Sequence, residues 1–461
     1  MTPINSLEID ISLNDLIEKY NVPGPRYTSY PTVPYWKENT FSKQNWKDSL
    51  LKSVKLQDNN ELSLYIHLPY CESLCTFCGC HKRITKNHDV ELPYVEALLA
   101  EWKLYCEVLP DKPIITEIHL GGGTPTFFSP ENLGRLMKGL LAHAHLADDF
   151  EFGIEAHPNN TTLEHLSLLS QLGFKRISFG IQDYSPTVQK AINRIQSFED
   201  VQQVHNWALQ LGFSSISHDL VFGLPFQTLG DIKKTIARTC LLDPDRLSFY
   251  SYAHVPWIKG LGQRGFSEEN IPSGKLKREF YEYGKSELEK NGYVEIGMDH
   301  FAKKSDSLYD SFMNGSLHRN FMGYTTNSTK NLIGLGMSAI SDSWLGFAQN
   351  EKTVEKYIES VKQGEFPVFR GHILSKQDLI IRQHILDLMC QFTTSLSHPD
   401  FDYQPILDRL DPLVQDNLLE IKNDQLEVST LGQIFIRNIC MCFDLELHRK
   451  ETTKDVFSKT I

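Results

Sequence analysis

From residue 61 onward, short apolar runs alternate with stretches of helical spacing. The β-rich runs lie at Leu62–Leu68, Glu117–Leu120, Phe152–Ala156, Arg176–Ile181, Ile216–Phe222 and Leu247–Tyr252. Between them, Tyr94, Val95, Ala97, Leu98 and Leu99, and later Leu163, Leu166, Leu168 and Leu169, recur at helical intervals. Strands alternating with helices in this way predict βα units and a parallel sheet. Such sheets present functional groups at the C-terminal ends of their strands. Periodicity does not say whether the sheet closes.

The flanking segments follow other patterns. Leu13–Tyr20 is amphipathic, and residues 21–32 (NVPGPRYTSYPT) hold three prolines and a glycine, which favour an extended arm with turns. That arm either straps over the main domain or reaches an active site; both readings are open. Beyond about residue 260 the rhythm loosens. Asn291–Ala302 is compatible with one more strand, and His318–Thr326 and Ile333–Ile340 read as loops feeding the same core. After about residue 370 helices dominate, at Leu379–Phe392, Pro405–Leu410, Val414–Leu419 and Leu431–Cys440, with a short strand at Gln425–Ser429. The expected organisation is an N-terminal arm over 1–60, a βα domain with its extension over 61–369, and a small winged-helix-like helical domain over 370–461.

Composition narrows the class. The 461 residues are too many for one compact core. A net charge of −12 argues against general nucleic-acid binding, which needs a basic face. There is no long apolar run to span a membrane, and the start MTPINSLEIDISLNDL lacks the basic, then apolar, order of a secretory signal. A cytoplasmic protein is expected, and a monomer. Nine cysteines in such a chain read as thiols and metal ligands rather than disulfides, and four of them fall between Cys71 and Cys80.

Cys71-x-x-x-Cys75-x-x-Cys78 follows directly on the first strand. Zinc sites use two separated ligand pairs, whereas here the cysteines share one tight loop. A structural zinc loop completed by Cys80 is the alternative. Thiolates are the usual ligands of iron–sulfur clusters, and a [4Fe–4S] cubane takes four. Three cysteines leave one iron open to chelate the amino and carboxylate groups of a methionine moiety. An electron passed from the reduced cluster to the sulfonium of S-adenosylmethionine (SAM) then breaks a carbon–sulfur bond and makes a 5′-deoxyadenosyl radical, with the protein positioning the groups. Cys106, Cys240, Cys390, Cys440 and Cys442 read as buried small side chains.

The second strand runs into Gly121, Gly122, Gly123, Thr124 and Pro125, where glycines let the backbone approach a ligand. Glu155, Gln182 and Asp219 lie at or near the ends of the next three strands. A carboxylate in a buried parallel sheet must be paired or bound to a ligand. Together these residues favour a site for ribose hydroxyls and a sulfonium, although each singly is as compatible with a structural salt bridge.

With these residues in place the chain resembles the oxygen-independent coproporphyrinogen III oxidases. The similarity is carried by PGPRYTSYPT at 23–32, the YIHLP-x-C loop through Cys80, GGGTPT at 121–126, the NR-x-Q at 193–196, DL-x-x-GLP at 219–225, GMDHFA at 297–302, HRNF-x-GYTT at 318–326 and IRNICMCFD at 436–444. The resemblance implies a partial (βα)6 TIM-like radical SAM barrel of α/β class, with two SAM molecules per active site. Cys71, Cys75 and Cys78 would bind the cluster. Tyr65, Gly122, Glu155 and Ile340 would contact the SAM on the cluster, and Phe77, Gly123, Thr124, Gln182, Arg194, Asp219 and Ala253 the second SAM. The implied reaction converts two propionates of coproporphyrinogen III to vinyl groups, with a low-potential electron donor. Arg26, Lys259, Arg264, Arg319 and Arg437 are candidates for the substrate's carboxylates. One departure stands out: the family often has Val-Asp-Pro after the strand-three glutamate, and this chain has Ala156-His157-Pro158, which is expected to affect only local packing. A haem chaperone on the same fold is the alternative function, and a radical SAM methyltransferase or haem-opening enzyme a third.

Overall fold

The computed structural model describes residues 12–36, 41–57, 60–256, 262–263, 266–449 and 457–460. Lys259, Arg264 and the first eleven residues lie outside that set. The described residues fall into two compact units, one drawn from Met1–Tyr35 and Lys376–Ile461, the other from Trp36–Ser375.

The larger unit is built on a 12-stranded sheet. Six strands, β1 (Glu61–Leu68), β2 (Ile114–Gly122), β3 (His145–Ala156), β4 (Phe174–Gln182), β5 (Ser215–Phe222) and β6 (Arg246–Ser251), lie parallel in sequence order. Each overlaps one of the apolar runs. β6 is followed by an antiparallel pair, β7 (Tyr293–Gly297) and β8 (His300–Lys303), where a single strand was expected. On the other side of β1 the chain returns as β9 (Leu332–Leu335), parallel to β1, then as antiparallel β10 (Ile340–Asp342), β11 (Gly346–Asn350) and β12 (Val368–Ile373). Ile333–Ile340, read as a loop, is thus half strand: Ile333–Leu335 and Ile340 are strand and residues 336–339 turn between them. Among the described residues β12 and β7 end the sheet without pairing, so the fold is a partial TIM-like α/β barrel.

Alternation along the parallel strands separates two environments. Leu62, Leu64, Ile66 and Leu68 of β1, Ile118 and Leu120 of β2, and Ile177, Phe179 and Ile181 of β4 are buried in the main core with the outer helices. The intervening positions are polar: Tyr65 and His67, Glu117 and His119, Glu155, Ser178 and Gln182, and Asp219. The helices begin at Ser129, Thr162, Ser197 and Thr228, whose side chains accept from the third residue of each helix. Helix Lys43–Leu56, within the expected arm, belongs to the larger unit, because its apolar stripe buries Trp46, Leu50 and Val54 and its Trp46 Nε1 donates to Tyr105 over 3.1 Å.

The smaller unit holds helices Leu13–Tyr20, Lys376–Gln391, Gln404–Gln415 and Ile436–Phe443, with strands Thr393–Ser395, Leu419–Lys422 and Gln425–Val428 in one small sheet. The two helices expected over 405–419 are one helix and a strand, since Asn417 turns the chain with φ +57°. No described helix is long and apolar enough to cross a membrane.

Candidate active site

The cysteine loop leaves the C-terminal end of β1 and is fastened on two sides. At its base, Tyr70–Cys71 pairs with Arg83–Ile84. Across the barrel mouth, Thr76 N–H donates to the Ile192 carbonyl over 3.0 Å, and the Asn193 amide to Leu74 O over 2.8 Å. Asn193 and Gln182 both hold left-handed backbone, at φ +52° and +67°, a strain characteristic of functional sites.

Cys71, Cys75, Cys78 and Cys80 line one cavity of about 180 Å³ together with Phe77, Gly122, Gly123, Thr124, Glu155, Gln182, Arg194 and Asp219. The three cysteines expected to bind the cluster and eight of the eleven expected cofactor-binding residues therefore line one cavity. Tyr65 packs next to it, its ring 6.2 Å from that of His119 and stacked on it. Ala253 is tied to the cysteine loop, because the Gln263 amide donates to both its carbonyl and that of Phe77 over 3.1 Å. Ile340 abuts Gly334, the residue paired with Tyr65; a Cβ on Gly334 would fall 2.3 Å from the Ile340 carbonyl oxygen.

The donor set fits an iron–sulfur cluster and SAM. The Thr124 hydroxyl donates to Cys71 Sγ over 3.3 Å, and Arg194 Nη1 lies 3.7 Å from Cys75 Sγ, both suited to thiolate sulfur. Gly122, at φ +116°, tolerates no side chain, since a Cβ would fall 2.8 Å from the His67 ring, and one on Gly123 would meet Pro69 at 2.6 Å. Arg194 donates to the Gly180 carbonyl over 2.6 Å, while its buried Nε has no partner. Such an orphan beside a cavity suits an anionic ligand group.

Two carboxylates face these donors. Burial alone would raise Glu155, but His119, 3.4 Å away, and the Gly122 N–H, at 3.2 Å, bring it below the usual carboxylate range. Asp219 is pushed up to about 6, chiefly by burial, although it accepts from Ser178 over 2.7 Å.

Behind Tyr65 runs a chain of hydrogen bonds. Arg370 Nε donates to Gln349 over 2.8 Å, the Gln349 amide donates to Ser338 Oγ over 3.1 Å, and Ser338 Oγ shares a hydrogen bond with His81 Nδ1 over 2.7 Å. His67 Nε2–H donates to the His81 carbonyl over 2.8 Å, which leaves His67 Nδ1 to accept from the Tyr65 hydroxyl at 3.0 Å. The Tyr65 oxygen therefore offers only lone pairs to a ligand.

Sequence reasoning missed several neighbours. His119, Glu117, Arg176 and Arg246 line a second cavity of about 120 Å³, which Ser178 and the expected Glu155 and Asp219 share with the first. Arg176 pairs with Glu151, and Arg246 with Asp306 over 2.7 Å. The signal was the polar set at alternate positions of each strand, legible only once the inward face is known. His157, expected to matter only for packing, is on the wall of the 180 Å³ cavity. Of the candidate substrate cations, Arg437 is committed to the carbonyls of Gly24, Pro25, Lys459 and Thr460, Arg319 is buried with its guanidinium 4.5 Å from the Tyr324 ring centroid, and Arg26 is half-buried.

Residues 65–239 match the family model of the radical SAM superfamily. The oxygen-independent coproporphyrinogen III oxidase of Salmonella typhimurium is 37% identical over 454 residues, spanning 97% of this chain and 98% of the relative. That of Helicobacter pylori is 38% identical over 452 residues, spanning 96% and 98%. The solved structure of coproporphyrinogen III oxidase from Escherichia coli, described as a radical SAM enzyme, superposes with a TM-score of 0.86 at 37% identity, covering 92% of this chain and 98% of that one. Carrying a cysteine loop, glycine run and strand-end carboxylates around one cavity, and matching these relatives over both of its units, the chain belongs to the radical SAM family of oxygen-independent coproporphyrinogen III oxidases.

Proposed function

We propose that this chain oxidatively decarboxylates two propionates of coproporphyrinogen III to vinyl groups, giving protoporphyrinogen IX. At each propionate the balance is loss of carbon dioxide, one β-hydrogen atom and one electron. The observation that carries the reading is the shared cavity, lined by Cys71, Cys75, Cys78 and Cys80 together with Glu155, Asp219 and Arg194. When bound, the [4Fe–4S] cluster and SAM supply the hydrogen-abstracting radical. The chain's own residues hold and orient the reactants. Cys71, Cys75 and Cys78 hold the cluster. Tyr65, Gly122, Glu155 and Ile340 hold a SAM against it, with Glu155 ionised toward a cation and Tyr65 accepting from one. Phe77, Gly123, Thr124, Gln182, Arg194, Asp219 and Ala253 hold a second SAM.

The relatives that match over nearly the whole chain carry the oxidase name, which favours this reading over the haem chaperone. A low-potential electron donor, a monomeric state and a cytoplasmic location complete the proposal; the absence of a long apolar helix among the described residues is compatible with that location.

The test is anaerobic turnover. Reconstituted protein is mixed with SAM, a low-potential reductant and coproporphyrinogen III, and the tetrapyrroles are separated after oxidation. Protoporphyrin formed together with 5′-deoxyadenosine is the expected result. SAM cleavage without protoporphyrin would move the function to another substrate.

A further inference from the structure

The 180 Å³ cavity is lined by groups of both signs: the carboxylates Glu72, Glu155 and Asp219, and the cations Lys82 and Arg194, the latter with an unpartnered buried Nε. His157 lines the same cavity, at the very position where the chain departs from the family's pattern. Its Nδ1 accepts from the Asn159 N–H over 3.2 Å. That bond places the ring proton on Nε2, which has no hydrogen-bond partner among the described residues. Burial, and then the positive charge of Arg194, hold the ring down to about 3, so it stays neutral with one N–H to give. A neutral donor and a guanidinium lining one cavity with carboxylates suit a ligand that carries both a cation and a carboxylate.

We propose that His157 is a carboxylate-binding residue, its Nε2–H joining Arg194 in a subsite for an organic carboxylate. The inference rests on reading this cavity as the SAM site. The carboxylate belongs either to the methionyl group of SAM or to a propionate of the substrate. The neutral imidazole adds a directional hydrogen bond without a second charge, and the Asn159 contact fixes its tautomer.

Equilibrium binding to the cluster-loaded protein separates these cases. The probes are SAM, 5′-methylthioadenosine, which lacks the carboxylate, and coproporphyrin III, which is unreactive. His157→Phe keeps the ring and removes the donor; His157→Gln restores an N–H near the Nε2 position. His157→Phe is expected to weaken SAM on the order of tenfold, to leave 5′-methylthioadenosine within about twofold, and to be rescued by His157→Gln. Weakening confined to coproporphyrin III, with the same rescue, assigns the subsite to a propionate. His157→Leu takes the place of His157→Phe if that variant fails to hold its cluster. Unchanged binding of both SAM and coproporphyrin III in the donor-less variant overturns the proposal, provided Glu155→Gln weakens SAM. If Glu155→Gln also leaves SAM binding untouched, the cavity assignment itself fails.

Discussion

Glu155 and Gly122 meet across neighbouring strands: the Gly122 N–H donates to the Glu155 carboxylate over 3.2 Å, and His119 reaches its other oxygen at 3.4 Å. The glycine run and the strand-three glutamate are thus one device. It leaves the carboxylate ionised with lone pairs turned to the cavity. Replacing Glu155 by Gln removes the charge at nearly constant shape. Loss of a charge-assisted hydrogen bond costs about 1.5–3 kcal/mol, or roughly 10- to 150-fold in SAM affinity. Iron and sulfide content should be unchanged, and calorimetric titration with SAM measures the difference.

Cys71, Cys75 and Cys78 line one wall with Thr124 and Arg194 directed at the first two sulfurs. Replacing any of the three by Ala should abolish the broad visible absorbance of the cluster and all SAM cleavage. Cys80→Ala should retain both. Retention in Cys71→Ala together with loss in Cys80→Ala would refute the ligand assignment. Iron and sulfide analysis of anaerobically reconstituted variants decides.

Asp219 carries a pH signature. Its carboxyl is raised by burial from 3.8 to about 6, so folding favours the protonated form. Its contribution is fully present below about pH 4, falls as pH rises, and is gone above about pH 6. The stability of Asp219→Asn relative to the parent, measured by urea unfolding of the cluster-free protein, should therefore increase between pH 4 and 6 and level off near pH 7. A difference independent of pH would show that Asp219 titrates alike in both states.

Arg437, a candidate for the substrate's carboxylates by motif, spends its guanidinium on main-chain carbonyls, including Pro25 at 2.9 Å and Thr460 at 3.1 Å. It staples segments of the smaller unit. Arg437→Met should destabilise that unit by about 2–5 kcal/mol, because several buried carbonyls lose their donor. Coproporphyrin III affinity of the folded fraction should remain as in the parent. Urea unfolding beside porphyrin fluorescence titration separates the two effects.

Much of the site was legible in the chain. The cysteine spacing, the glycine run, and Glu155, Gln182 and Asp219 at strand ends all precede any structure. What escaped was the company they keep. His119 looks like any strand residue until β2 is known to turn it toward Glu155. His157 looks like a turn residue until the β3 exit places it on the cavity wall. Arg437 and Arg194 are both motif arginines, yet one meets backbone and the other a cavity.

The six parallel strands, their helices and the cysteine loop were already written in the linear chain. Those follow from side-chain spacing along a few consecutive residues and from backbone preferences of Gly and Pro, which act locally. Long-range packing settles that Leu332–Leu335 returns to pair with β1, that helix Lys43–Leu56 belongs with the barrel, and that His157 and Arg194 line one cavity. Those outcomes depend on which distant surfaces exclude water together, and a linear pattern carries the apolar face of each element but not the identity of its partner.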